Sequence, residues 1–218
     1  MKITQLQITS SALDLEFSPN APVCVLCGRY SDLALDLIRA TLDNHTTLQV
    51  PKHIDDGQFV IHADIEMDGK SYAVCSIRNM DYKGDSRIAV NFGDNSTNFS
   101  LFDTYELVGK LEERNKDESN VFDIKKYKTD ICLSEGDRLV AGFEQFCGQL
   151  RADDDRPIFI PGFFDRIDEA TEIGTYLDAL ASLGRQVFVS VGPLYPIQRL
   201  THSAIQLVSI EGNLGTVN

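Results

Sequence analysis

Two aspartates, Asp165 and Asp168, follow closely on the short apolar run Ile158 to Ile160. Carboxylates at the carboxyl end of a buried strand can hold a divalent cation and activate water. A metal-dependent enzyme with a nuclease-like acidic site is therefore one chemistry this spacing permits, although an aspartate ahead of a helix is also an ordinary cap. Cys24 and Cys27 form a C-x-x-C. They belong to an apolar run starting at Val23, and side chains three apart on a strand face opposite sides. A second ligand pair at suitable spacing is absent from the sequence, so no metal is expected. There is no G-x-S-x-G elbow and no H-E-x-x-H. The charge runs Asp153-Asp154-Asp155 and Lys125-Lys126-Tyr127-Lys128 read as solvated loops or helix ends, and Ser134 with Asp137 has the spacing of a helix cap.

Positioning these residues requires particular elements. Lys2 to Ile8 and Leu13 to Phe17 alternate as half-buried strands, Val23 to Cys27 is a continuous apolar run broken by Gly28, and Asp32 to Leu42 has helical spacing. Phe59 to Met67 and Tyr72 to Ile77 flank Asp68-Gly69-Lys70, a hairpin signal, and Arg87 to Phe92 continues the meander. Phe102 to Arg114 reads as a helix and Glu112 to Ser119 as an exposed connection. A helix follows Ser134, with Leu139, Val140, Phe143, Phe146, Cys147 and Leu150 on one face. Ile158 to Ile160, Gln186 to Val191 and Ala204 to Ile210 read as buried strands, with a helix over Ile167 to Leu183. Buried strands alternating with helices predict an α/β fold with a mostly parallel sheet flanked by helices. We expect a single domain over 1–218, with its core in 1–50 and 134–218 and a β-rich meander with a connecting helix over about 51–133.

The 218 residues suffice for a real core, and 43% are hydrophobic. Nothing at the amino end has the apolar core of an export signal, and no apolar run approaches the ~20 residues of a spanning helix. Five widely spaced cysteines suit a reducing compartment. A cytoplasmic protein is expected. The formal net charge of -13 does not favour nucleic-acid binding by this domain alone.

The order of these weak signals resembles the globular head of the RecF and structural-maintenance-of-chromosomes branch of the ATP-binding-cassette ATPases, over nearly the whole chain. Met1-Lys2-Ile3, the strand Leu13 to Phe17, the turn Ser18-Pro19-Asn20 and the strand Val23 to Cys27 match its opening. The resemblance puts Gly28-Arg29-Tyr30-Ser31-Asp32-Leu33-Ala34-Leu35 in the slot of the phosphate loop, which should read G-x-x-x-x-G-K-[ST]. Leu33 then replaces the second glycine, Ala34 the lysine and Leu35 the magnesium-binding hydroxyl. Leu133-Ser134-Glu135-Gly136 resembles the family signature. Pro161 and Gly162 stand where the resemblance puts the metal-coordinating aspartate and the catalytic glutamate, Asp168 matches the aspartate of the inter-subunit loop, and Val191 or Gly192 takes the place of the switch histidine.

The resemblance implies a P-loop NTPase-like fold from which several catalytic groups are missing. One preorganised transition-state donor is worth roughly 10²–10³ in rate, so the expectation is a pseudo-ATPase with no catalytic residues. No cofactor is expected, weak ATP binding being left open. The implied partner is a protein, either a second copy or an active cassette ATPase, with no membrane involved. Besides the metal-dependent enzyme, the alternative is a plain interaction scaffold.

Overall fold

In the computed structural model, residues 1–43, 58–80, 86–93, 109–129, 133–167, 170–196, 200 and 204–210 are described. In chain order they form β1 (Lys2–Thr9), β2 (Asp14–Phe17), β3 (Val23–Cys27), α1 (Ser31–Ala40), β4 (Gln58–Met67), β5 (Lys70–Met80) and β6 (Ser86–Gly93). A helical segment α2 (residues 109–115) follows. The order then continues with α3 (Glu135–Gln149), β7 (Ile158–Ile160), α4 (Ala170–Ser182), β8 (Val187–Val191) and β9 (Ile205–Ser209).

Period-two alternation builds one sheet. Along β4, Phe59, Ile61, Ala63, Ile65 and Met67 are buried while His62, Asp64 and Glu66 face outward. Asp68 and Gly69 turn the chain with φ of 53° and 74°, the left-handed pair a two-residue hairpin loop needs. The strands run antiparallel in the order β2-β1-β4-β5-β6. β1 and β2 hydrogen-bond to the meander through β4, while the inner residues of β1 share one core with α1 and β3.

Continuous apolar runs build the second sheet, four strands in the order β7-β8-β3-β9, parallel throughout. β3, β7 and β8 are buried at every position, because both faces of this sheet are covered. On one face, Cys24, Leu26, Phe159 and Phe188 join Leu33, Leu37 and Ile38 of α1 and the inner residues of β1 and β4. On the other, Val25, Ile160, Val189 and Val191 pack with Leu139, Phe143 and Phe146 of α3 and Ile173, Leu177 and Leu180 of α4. Phe143 packs on Phe163 with centroids 4.4 Å apart and the rings tilted by 34°, and meets Tyr176 edge-on at 5.9 Å. Cys24 and Cys27 thus point into opposite cores, as their spacing predicts.

The two sheets are tied together at the amino end of the parallel strands. The buried Gln186 side chain accepts from Ile3 N at 2.9 Å and donates to Ile3 O at 2.8 Å. Nearby, Arg156 is 6% exposed. Its guanidinium donates to Asp154 at 2.7 Å, Asp117 at 2.8 Å and Ser119 Oγ at 2.6 Å, and it also meets Arg114 O. Arg185 reaches Asp154 at 3.3 Å. The acidic run 153–155 is therefore no plain solvated loop: Asp154, half-buried between two exposed aspartates, is its centre, since a desolvated arginine must find carboxylates.

Other boundaries also shift. α2 extends to 115, where Asn115 is buried and donates to Leu42 O and Leu111 O at 3.0 and 2.9 Å, so 112–119 is not simply an exposed connection. The part of the predicted helix over 102–108 lies outside the described residues. α4 begins at Ala170 rather than Ile167, whose backbone is extended at φ -102°, ψ 112° and whose side chain is buried. Among the described residues no helix is long and apolar enough to cross a membrane.

Candidate functional site

The carboxyl ends of parallel strands, where adjacent loops diverge, are where α/β sheets form their binding crevices. Here those ends bring together Gly28 after β3, Gly162 after β7 and Gly192 after β8, three of the segments expected to matter.

The link from β3 to α1 is only Gly28-Arg29-Tyr30, with the helix beginning at Ser31. Gly28 has φ of 135°, and a Cβ there would lie 2.4 Å from Ile210 O. Glycine is required both for the torsion and for the close approach of the chain leaving β9. Gly28 N donates to Val191 O at 3.1 Å, and Ser31 Oγ donates to the same oxygen at 2.8 Å. Leu33, Ala34 and Leu35 do not lie in a loop. They sit inside α1, buried in the core between the sheets. Tyr30 is buried, and the Arg29 guanidinium lies 5.6 Å over its ring.

Acidic groups gather where such a crevice would lie, at the carboxyl ends of β3, β7 and β8. Ser190, the single hydroxyl of the buried strand β8, donates to the Asp32 carboxylate from the first turn of α1 and accepts from Gly162 N at 3.1 Å. Both oxygens of Asp165 accept from Gly192 N at 2.9 Å. A Cβ at Gly192 would come within 3.3 Å of that carboxylate. Burial raises the Asp165 pKa, and the Asp32 charge adds to this, while the Gly192 amide opposes it. Cys27 is pushed up to about 11, by burial first and the Asp165 charge second. Pro161 is exposed, and Gly162 bends the chain with φ of 54°.

The signature-like segment is a capped helix start. Ser134 Oγ accepts from Asp137 N at 3.2 Å and donates to Asp137 Oδ2 at 2.6 Å. Glu135 and Asp137 place two carboxylates in the first turn of α3, where they neutralise the positive end of the helix dipole. Leu133 is exposed, and Gly136 faces Arg166 O, 3.8 Å from its ideal Cβ position. Asp168 lies outside the described residues. Among the described residues, no group of three or more His, Cys, Asp or Glu is placed to hold a metal ion.

Sequence reasoning missed the Asp32–Ser190–Gly162 chain and the Asp165–Gly192 pair. One signal was available: a lone hydroxyl within Gln-Val-Phe-Val-Ser-Val must find a partner once buried.

No protein-family model and no curated protein matches the sequence. Solved structures do match the fold. The SMC head domain from Thermotoga maritima superposes with a TM-score of 0.56 at 9% identity, covering 97% of this chain and 99% of that one. An SMC head crystallised with the C-winged helix domain of ScpA gives 0.55 at 7% identity, covering 97% and 98%. The chain has the fold of an SMC head domain over nearly its full length.

Proposed function

We propose that this chain is a non-hydrolysing head module that acts by pairing with another protein. The supporting observation is the chemistry of the crevice. A nucleotide needs backbone amides and cations around its phosphates. At this crevice the chain has a three-residue strand-to-helix link, a hydroxyl turned inward to Val191 O, and the carboxylates of Asp32 and Asp165. Like charges there oppose a triphosphate. With Ala34 and Leu35 in the core and Pro161 and Gly162 after β7, the side chains that would grip phosphate and activate water are missing from these positions.

The role left to such a head is regulatory or architectural, with a second copy or an active cassette ATPase as partner. One neighbour of like fold carries the winged-helix domain of ScpA, which is consistent with a head serving as a platform for protein partners. The acidic first turn of α3 disfavours its presentation to a partner's γ-phosphate, so simple pairing is the form proposed.

Two measurements test this. Purified protein should release no phosphate from MgATP and should not bind a fluorescent ATP analogue saturably. Phosphate release that co-purifies with the chain and changes in Asp32→Ala would overturn the reading. Light scattering of the chain, alone and with an active cassette ATPase, should show a dimer or a complex, and a strict monomer in both would remove the pairing.

A further inference from the structure

On the outward face of the antiparallel sheet, His62 Nε2 and Cys75 Sγ lie 3.9 Å apart. The two residues are register partners on β4 and β5, so the ladder itself holds their Cβ atoms side by side. From the geometry we infer that this pair is a bidentate site for a borderline transition-metal ion of the Zn²⁺ class. Two ligands on one tetrahedral zinc, with Zn–S of about 2.3 Å and Zn–N of about 2.0–2.1 Å, stand about 3.6 Å apart. The observed separation exceeds this by a few tenths of an ångström, which a small side-chain rotation closes. Neutral imidazole and thiolate are the ligand types such an ion selects over Mg²⁺ or Ca²⁺.

The surroundings allow the ion to enter and stay. His62 is exposed and Cys75 half-buried, so the site opens to solvent on one side and rests on the sheet on the other. The registers put Gln7 opposite His62 on its other flank and Asp64 two residues along the same face. Neither brings a positive charge against a cation. Binding replaces the thiol proton of Cys75 by the metal ion and releases that proton to solvent, with no change of oxidation state. Water fills the remaining positions, so the ion is exchangeable. The site lies on the antiparallel sheet, apart from the crevice, and does not depend on what the crevice does.

Titration of reduced, full-length protein with Co²⁺ tests the assignment. A thiolate-to-cobalt absorption band in the near ultraviolet should saturate at one equivalent and be displaced by Zn²⁺. Cys75→Ser should abolish the band and His62→Ala should weaken binding about tenfold or more, with Cys147→Ser unchanged. Both residues face solvent rather than core, and circular dichroism verifies that each variant is folded. Absence of the band in the folded wild type, its survival in Cys75→Ser, or unaltered affinity in His62→Ala would each overturn the site.

Discussion

Gln186 completes the hydrogen bonding of Ile3: one carboxamide both accepts from and donates to the same residue, at 2.9 and 2.8 Å. It thereby acts as a one-residue strand between a sheet that is antiparallel and one that is parallel. Replacing it with alanine leaves a buried N–H and a buried C=O unpaired, each costing about 1–3 kcal/mol. Gln186→Ala should therefore lose about 2–6 kcal/mol in urea unfolding. Unchanged stability would mean that water substitutes freely there.

Arg156 should be the most sensitive charged position among the described residues. Its removal strands Asp154, whose side chain is 11% exposed, with only the less well-placed Arg185. Loss of one partner from a buried ionic network costs about 3–5 kcal/mol, and Arg156→Ala should show this by chemical denaturation. Arg156→Lys should recover only part of it, because an ammonium cannot reproduce the fork that meets Asp154, Asp117 and Ser119 together.

Asp117 supplies the pH dependence of the same network. The hydrogen bond from Arg156 lowers its pKa from an ordinary 3.8 to about 2. A depressed folded-state pKa contributes stability above the unfolded value and loses it as pH falls through the folded one. Asp117→Asn should therefore be less stable than wild type near neutrality. The difference should shrink from about pH 5 and be lost only once the pH falls below about 2; a constant difference across that interval would deny the linkage.

The buried thiols of Cys24 and Cys27 and the half-buried thiol of Cys147 should be inert. Burial lifts Cys24 to about 12 and Cys27 and Cys147 to about 11, so almost no thiolate exists near neutrality. Iodoacetamide applied to the folded protein should leave all three unlabelled by mass spectrometry and should label them once denaturant is added. Rapid native labelling of Cys24 or Cys27 would show that the core opens readily.

Local periodicity carried most of the fold. The alternation in β4, the Asp68-Gly69 turn, the all-apolar β3 and the β8 run broken only by Ser190 follow from side-chain period and backbone torsion alone. Which strands pair does not: β1 meets β4 across the whole of residues 10–57, and hydrophobic alternation is the same whichever sheet it faces. The acidic run 153–155 was misread because burial of a carboxylate depends on Arg156 and Arg185 converging in space. At the crevice, the type of residue at each motif position was visible, but the length of the link after Gly28 was not. Helix spacing fits equally whether α1 starts at Ser31 or several residues later, and only the core contacts of Leu33, Ala34 and Leu35 decide it.

That link also determines what mutation can restore. Lysine at position 34 would put an ammonium in an apolar core rather than beside a phosphate, and a hydroxyl at 35 would meet leucine and isoleucine rather than magnesium. Ile210 O meanwhile stands 2.4 Å from where any side chain at 28 would begin. Single-residue exchanges therefore do not build a phosphate-gripping loop at this place. Residues would first have to be inserted between Gly28 and Ser31, so the length of the link, more than the identity of any one side chain, sets what this strand-to-helix junction can hold.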